Sequence, residues 1–403
     1  MPYGSLAGDW YLNLILLEIK MRLLVKILIA IVLGIGSGYI FPEWLSRAWA
    51  TFNGLFAQLL GFLIPLLIVG FVAPAIAELG KRAGKMLAIT ALIAYVMTFV
   101  VGIGSYAAAN AIFPAILDGK VLAPAEQADE VLATLPFFKM DIPPLMGVTS
   151  ALVLAFSLGL GTAALKTTSL RDVLNDFRDI INLSIGKVII PLLPFYIFGI
   201  FMNMTIIGQV GTILSTFASI VVVIFAMHIA ILILQYLLAS AFSGLSPFKS
   251  LKTMLPAYFT ALGTQSSAAT IPVTLRQTVA CGVDSSIAGF VVPLCATIHM
   301  SGSTMKIVCC AVALMLLRDM PFDIGMFAEF IGMLAITIIA APGVPGGAIM
   351  ASLGLLSTIL GFSEADCALM ISLYIAMDSF GTACNITGDG AIAQIVEAIF
   401  HKK

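Results

Sequence analysis

The chain has 403 residues, of which 61% are hydrophobic and 10% are charged, and its formal net charge is −1. Because an average soluble domain carries about 25% charged residues, this composition excludes an ordinary soluble protein. The basic residues stand singly at the ends of apolar runs and form no basic face, which excludes nucleic acid as a partner. The three histidines form no cluster with metal-ligand spacing, and we expect no cofactor.

Charge-free runs long enough for a spanning helix, which needs about 20 apolar residues, recur along the chain. The first six predicted spans are about 22–42, 51–78, 85–114, 145–166, 172–206 and 210–243. A break is expected at GQVG, residues 208–211, and the polar segment 115–144 is predicted to be an extracellular loop. No cleavable signal peptide is evident. The sequence therefore predicts an all-α polytopic protein whose surroundings are a lipid bilayer.

The distribution of charge predicts the orientation of these spans. Most lysines and arginines fall on one side of the membrane if both termini are cytoplasmic, and acidic residues cluster on the other side, within 118–141. Since cytoplasmic loops carry an excess of basic residues, we expect a multi-pass protein of the cytoplasmic (inner) membrane with both termini in the cytoplasm.

After residue 245 polar and helix-breaking segments interrupt the apolar runs. They are TQSSAATIP (264–272), TIHMSGS (297–303) and APGVPGG (341–347). Irregular backbone at membrane depth is tolerated only where protein or a water-filled cavity surrounds it. Each breaker-rich hairpin precedes an interrupted or polar helix, and such pairing is typical of inverted-repeat transporters with a binding site at the membrane midplane.

The last polar segment, MDSFGTACNITGD at 377–389, places Asp378, Thr382, Asn385 and Asp389 at intervals of 4, 3 and 4. This spacing puts all four side chains on one face of a helix. An ionised side chain at the bilayer centre costs about 2.5–3.5 kcal/mol, so the two aspartates need partners. A transported cation or ammonium group is one partner; alternatively, each carboxylate braces its helix internally.

Four motifs in this part of the chain resemble those of the dicarboxylate/amino acid:cation symporter family. TQSSAATIPVT resembles the serine-rich tip of the first re-entrant hairpin, and APGVPGG resembles the second tip. PLCATIHMSGS resembles the unwound Asn-Met-Asp-Gly-Thr helix, with His299, Ser301 and Ser303 as departures. DSFGTACNITGD resembles the final substrate-binding helix. The N-terminal spans extend the resemblance to nearly the whole chain.

The resemblance implies eight transmembrane helices, two re-entrant helical hairpins, a homotrimer and an elevator mechanism. It also implies a division of the chain into a scaffold and a mobile transport domain. Residues 1–84 hold scaffold spans 1 and 2, residues 85–114 hold span 3 of the transport domain, residues 115–206 hold the extracellular loop and scaffold spans 4 and 5, and residues 207–403 hold the rest of the transport domain.

The same resemblance implies the residues that contact substrate. In the family, the position of Asp378 holds the substrate ammonium and that of Asn385 holds its carboxylate. The full set of substrate-binding candidates is Ser266, Ser267, Ser303, Gly343, Val344, Asp378, Gly381, Thr382 and Asn385. Acidic-substrate members carry an arginine where this chain has Gly381, so we expect the glycine to open volume for a neutral side chain; alternatively, it permits close helix packing.

The coupling ion follows less directly from the motifs. Several oxygen ligands of sodium-coupled members are absent, and Asn385 with Asp389 could form a single Na⁺ site. His299 is a candidate proton carrier because imidazole titrates near neutral pH, or else a hydrogen-bonded core residue. Lys306 either pairs with a carboxylate as a tethered substitute for a cation or extends to the membrane interface.

Together these observations predict a symporter that moves a neutral amino acid by an elevator mechanism, with proton or reduced sodium coupling. The alternative is a sodium-coupled symporter of acidic amino acids or dicarboxylates, and a channel is a remote alternative. The sequence contains no HExxH or GxSxG motif and no nucleophile–base arrangement, so we do not expect an enzyme.

Overall fold

The computed structural model describes residues 25–81, 85–117, 119, 135–165, 168–208, 210–339 and 346–400, and these ranges contain helices but no strand. In chain order the helices are α1 (Val25–Ile40), α2 (Glu43–Lys81), α3 (Lys85–Ile116), α4 (Val148–Ala164), α5 (Ser169–Ser184), α6 (Ile190–Ile206), α7 (Val210–Ser243), α8 (Pro247–Thr264), α9 (Ser267–Ala280), α10 (Ser285–Ile298), α11 (Ser301–Leu317), α12 (Ile324–Ile339), α13 (Gly347–Thr358), α14 (Glu364–Ala376) and α15 (Asp378–Phe400). A π-helical turn, Ile185–Ile189, joins α5 to α6 without a break.

Several of these helices are long and apolar enough to cross a membrane. Within the described ranges, α2, α3, α7, the continuous pair α5–α6 and the span formed by α10 with α11 meet that criterion, and α14–α15 adds a sixth span bent by 63°. Large apolar side chains on α7, such as Val222 and Leu234, are exposed. An apolar surface of this kind is what lipid-facing helices require. The chain is a multi-pass membrane protein.

The helix ends agree with the predicted breaks. The break expected at GQVG is confirmed, because α6 ends at Ile206, α7 begins at Val210, and Gly208 adopts a positive φ of 76° that favours glycine. TQSSAATIP forms the turn between α8 and α9, and TIHMSGS separates α10 from α11. Most of APGVPGG lies outside the described residues, but α12 ends before it and α13 begins at its last glycine.

One break was not predicted from the sequence. The run before the polar stripe reads as a continuous apolar helix, yet the chain bends by 63° at Met377, between α14 and α15. The bend makes Asp378 the first residue of a helix instead of an internal one. Its carboxylate therefore lies where free backbone N–H groups and the positive end of the helix dipole favour an anion.

The helices pack in two groups. In the first, α2 lies against α4, α5 and α6. In the second, α15 contacts α7, α8, α10 and α11, and α3 covers α11 and α12. Nearly every residue of α11 is buried. This packing places the breaks at 299–300 and 377 in the interior of the second group, away from lipid.

Candidate functional site

Asn385 of α15 lies at the start of α11, directly after the break at 299–300. Its Oδ1 accepts hydrogen bonds from the backbone N–H groups of Gly302, at 2.8 Å, and Ser303, at 3.3 Å. Its Nδ2 donates to the Ser303 Oγ at 3.0 Å. The first N–H groups of a helix have no partner within that helix, so an amide from α15 caps α11 and joins the two helices.

Asp378 forms a buried ion pair with Lys306. Its Oδ1 lies 3.2 Å from the lysine Nζ, and its Oδ2 accepts the backbone N–H of Gly346 at 2.9 Å. The lysine side chain is fully buried and that of Asp378 is 7% exposed. The interpretation in which Lys306 extends to the membrane interface is therefore wrong. The partner of Asp378 in this structure is a cation that belongs to the protein.

The ammonium group of Lys306 has two further contacts. It donates to the backbone carbonyl of Met377 at 3.4 Å and lies 3.6 Å from the centroid of the Tyr374 ring. An aromatic face attracts a cation, and more strongly in a desolvated place. Carboxylate, carbonyl and ring together hold the ammonium at the bend between α14 and α15.

Gly381 is the reason that Lys306 fits there. A Cβ atom at residue 381 would collide with the Cε of Lys306 and would lie 2.5 Å from its Nζ. The expectation that this glycine opens volume for a substrate side chain is wrong for this structure, because the lysine already fills that volume. The space that a side chain at residue 381 would take is filled by the side chain of Lys306, which comes from α11.

Asp389 pairs with the candidate proton carrier. The Oδ1 of Asp389 and the Nδ1 of His299 are 2.9 Å apart, and both side chains are fully buried. On the other side of the imidazole, the Nε2 of Gln235 lies 3.4 Å from the ring Nε2 and donates to the Ser301 Oγ at 3.0 Å. Within the described ranges no three His, Cys, Asp or Glu side chains gather as metal ligands. The single Na⁺ site at Asn385 and Asp389 stays a prediction.

Two more of the predicted substrate-binding residues lie beside Asp378 and Asn385. The Thr382 Oγ1 donates to the backbone carbonyl of Asp378 at 3.0 Å, and the Ser303 Oγ accepts from the Tyr374 hydroxyl at 3.1 Å. Both side chains are buried. The structure thus brings Ser303, Asp378, Gly381, Thr382 and Asn385 together, and we call these five residues with Lys306 the central cluster.

The hairpin-tip candidates of the first tip form local hydrogen bonds, and those of the second tip lie outside the described part. Ser266 is the N-cap of α9, where its Oγ accepts from the Ala269 N–H at 3.3 Å, and Ser267 is a half-buried residue of the first turn. The hydrogen bonds of Ser266 stay within this turn and do not extend to the central cluster. Gly343 and Val344 are not among the described residues.

Sequence reasoning missed the polar residues of α7 and the tyrosine before the bend. His228 and Gln235 lie two helical turns apart on one face of α7, and the His228 Nε2 lies 3.3 Å from the Gly302 carbonyl oxygen. A histidine and a glutamine spaced by seven in a span without charged residues are a usable signal. Tyr374 lies in an apolar run, and nothing in the local pattern separates it from a packing residue.

Gly302 lies where α11 and α15 are in close contact, and the absence of a side chain there permits this contact. A Cβ at residue 302 would lie 2.7 Å from the Cβ of Cys384 and 2.8 Å from the backbone oxygen of Gly381, neither of which can move freely. Gly302→Ala should therefore lower the free energy of unfolding by about 1–3 kcal/mol through overpacking. Thermal melts of the purified protein measure this change.

The matched control for that prediction is Gly289→Ala. Gly289 lies inside α10, and beyond its own stretch of helix no atom of the described residues lies within 4 Å of its would-be Cβ. Alanine is the better helix former by about 1 kcal/mol, so this variant should melt no lower than the original protein. Equal losses in both variants would contradict the assigned close contact.

The chain is similar to a family of symporters and to named transporters. A profile described as the sodium:dicarboxylate symporter family matches residues 23–399. The serine/threonine transporter SstT of Acinetobacter baylyi is 26% identical over 388 residues, covering 92% of this chain and 96% of the relative. The SstT of Acinetobacter baumannii strain AYE is 27% identical over 390 residues, covering 92% and 95%.

A mammalian relative matches a shorter stretch. The excitatory amino acid transporter 1 of Rattus norvegicus is 26% identical over 293 residues, which are 69% of this chain and 52% of that protein. All of these relatives are transporters and none is an enzyme.

Proposed function

The chain belongs to the sodium:dicarboxylate symporter family, and from this premise we propose that it is a secondary active transporter that carries a neutral amino acid across the cytoplasmic membrane. The observation that carries the proposal is the central cluster itself. Asp378 begins α15, and Asn385, two turns further along that helix, caps the first turn of α11. A carboxylate and an amide on one helix, each beside a helix N-terminus, suit a zwitterion, because the carboxylate attracts an ammonium and the positive ends of the helix dipoles attract an anion.

The neutral side chain is inferred from the charges around Gly381. Residue 381 supplies no guanidinium, and Lys306, the cation that the described residues place beside it, is already paired with Asp378. A second carboxylate on the substrate would lack a bidentate partner. An uncompensated charge in a dry site is strongly unfavourable. The serine/threonine transporters among the relatives are consistent with a neutral substrate.

We propose that transport occurs by an elevator movement in a homotrimer, with both termini in the cytoplasm. The two packing groups support this division: α1, α2 and α4–α6 would form the scaffold, and α3 with α7–α15 would form the transport domain that carries the central cluster. The binding site in this proposal is completed by the hairpin tips, with Ser266 and Ser267 at one and Gly343 and Val344 at the other.

Coupling in this proposal uses protons or fewer sodium ions than a fully sodium-coupled symporter uses. This proposal is supported by the fact that the candidate sodium ligands are already bonded within the protein. One oxygen of Asp389 is bonded to His299, and the Asn385 oxygen caps α11. A hard cation such as sodium needs several free oxygen ligands. Of the oxygens of Asn385 and Asp389, the second carboxylate oxygen of Asp389 is buried and has no hydrogen-bond partner among the described residues.

A thermal-shift panel tests the proposed function. Purified protein is melted with each common amino acid and with C4-dicarboxylates, in sodium and in choline buffers, at pH 5.5 and 7.5. A ligand at 100 times its Kd stabilises the protein by about 2.7 kcal/mol, and we expect a neutral amino acid to produce that shift without sodium. A shift obtained only with aspartate or a dicarboxylate, and only in sodium, would replace this proposal with a sodium-coupled acidic-substrate symporter.

A further inference from the structure

Lys306 occupies the place that a substrate ammonium would take. Its Nζ lies 3.2 Å from the Asp378 Oδ1, at the carboxylate to which the proposed function assigns the ammonium of an amino acid. The lysine is fully buried, and its contacts with the Met377 carbonyl and the Tyr374 ring keep its ammonium at the bend. Two ammonium groups cannot both occupy this desolvated position, because like charges repel there without screening by water.

We propose that Lys306 is an internal counter-cation that competes with the substrate for Asp378 and neutralises this carboxylate whenever the site is empty. The inference rests on the proposed function, since it concerns the same site and a substrate that brings an ammonium. Lys306 would thereby lower the affinity of the site for the amino acid, and it would allow net uptake without obligatory exchange.

Net uptake depends on the free energy needed to move the substrate-free binding site back across the membrane. A lone carboxylate at membrane depth costs about 2.5–3.5 kcal/mol even on the most lenient scale, which would slow the return of the empty protein by about 100-fold. With Lys306 in place the Asp378 charge is paired in the absence of substrate, so the empty protein returns without a bound ion. Net uptake is then possible, and exchange of substrate for substrate is not obligatory.

The packing around the pair supports a switch between two partners of one carboxylate. Gly381 leaves room for the lysine stem, so its position requires no distortion of α15. Asp378 keeps its second oxygen on the Gly346 N–H at 2.9 Å, a contact from the start of α13 that does not depend on which ammonium occupies the first oxygen.

The first test uses the unaltered protein in proteoliposomes. Net uptake of the amino acid that the thermal-shift panel identifies is measured into vesicles that contain only choline salts, beside exchange against the same internal amino acid. We expect net uptake to proceed at a rate within about tenfold of exchange, because the barrier of about 100-fold is removed. Exchange without measurable net uptake would overturn the inference. Absence of both binding and exchange with every amino acid would overturn the proposed function instead.

The second test uses variants of Lys306. In Lys306→Met the amino acid should bind more tightly, because its competitor is gone, and the ratio of net uptake to exchange should fall by about 10–100-fold. Lys306→Arg, which keeps the charge, should retain a higher ratio than Lys306→Met. Lys252→Met removes an exposed lysine of α8 in the same packing group and should leave the ratio as it was.

The matching 2-hydroxy acid, which lacks the ammonium, separates competition from a general effect on the site. Competition predicts that Lys306→Met strengthens binding of the amino acid but does not strengthen binding of the hydroxy acid. Weaker binding of the amino acid in Lys306→Met, or an unchanged ratio of net uptake to exchange, would overturn the inference.

Discussion

Asp378→Asn is expected to abolish amino-acid binding and, in addition, to destabilise the protein. Binding fails because the substrate ammonium loses its carboxylate. Stability falls because Lys306, fully buried and 3.2 Å from the Asp378 Oδ1, is left without a counter-charge. Breaking a buried pair by removing one partner typically costs about 3–5 kcal/mol. Thermal melts measure the loss of stability, and the shift of the melt by a saturating amino acid measures binding.

The double variant Asp378→Asn with Lys306→Met separates these two effects. It contains no buried charge at this position, so most of the lost stability should return, since replacing a whole buried pair by neutral groups is often close to neutral. Amino-acid binding should not return with it. Asp378→Asn protein that binds the amino acid with unchanged affinity would remove the role assigned to this carboxylate.

The second large effect is expected from restoring the motif that His299 and Ser301 interrupt. His299→Asn combined with Ser301→Asp removes the imidazole that occupies the Asp389 Oδ1 at 2.9 Å and adds carbonyl and carboxylate oxygens beside it. In sodium-free buffer the variant should melt below the original protein, because two buried carboxylates then lack a cation. Sodium should reverse the loss, since oxygen ligands suit a hard cation, and by about 2.7 kcal/mol at 100 times its Kd.

The control for this prediction is the original protein in the same salts. Exchanging choline or potassium for sodium chloride at equal ionic strength should shift its melting temperature by less than that of the variant, because His299 already pairs with Asp389. A sodium-specific rise in the original protein as large as that in the variant would show that the histidine pair does not substitute for the ion.

The relation between Gly381 and Lys306 shows how far sequence reasoning extends. The glycine stands out by itself, as the absence of an arginine, and the lysine stands out as a charge in an apolar span. Neither observation says that the two belong together. Only the packing of α11 against α15 shows that the missing side chain at 381 is the space that the lysine fills.

The sequence by itself determined the membrane class, most of the helix ends and the polar face of α15. These features depend on composition, on helical periodicity and on breakers such as Gly208, all of which act over a few turns of chain. The bend at Met377 escaped prediction because no glycine or proline marks it.

Tertiary structure alone decided the partners of the two aspartates. Lys306 and Asp378 are 72 residues apart, and His299 and Asp389 are 90 residues apart. A buried charge must find a partner, but local sequence does not say whether that partner is a ligand or another side chain. Here the way α11 and the break before it pack against α15 supplied a protein side chain to each carboxylate, the Lys306 ammonium to Asp378 and the His299 imidazole to Asp389.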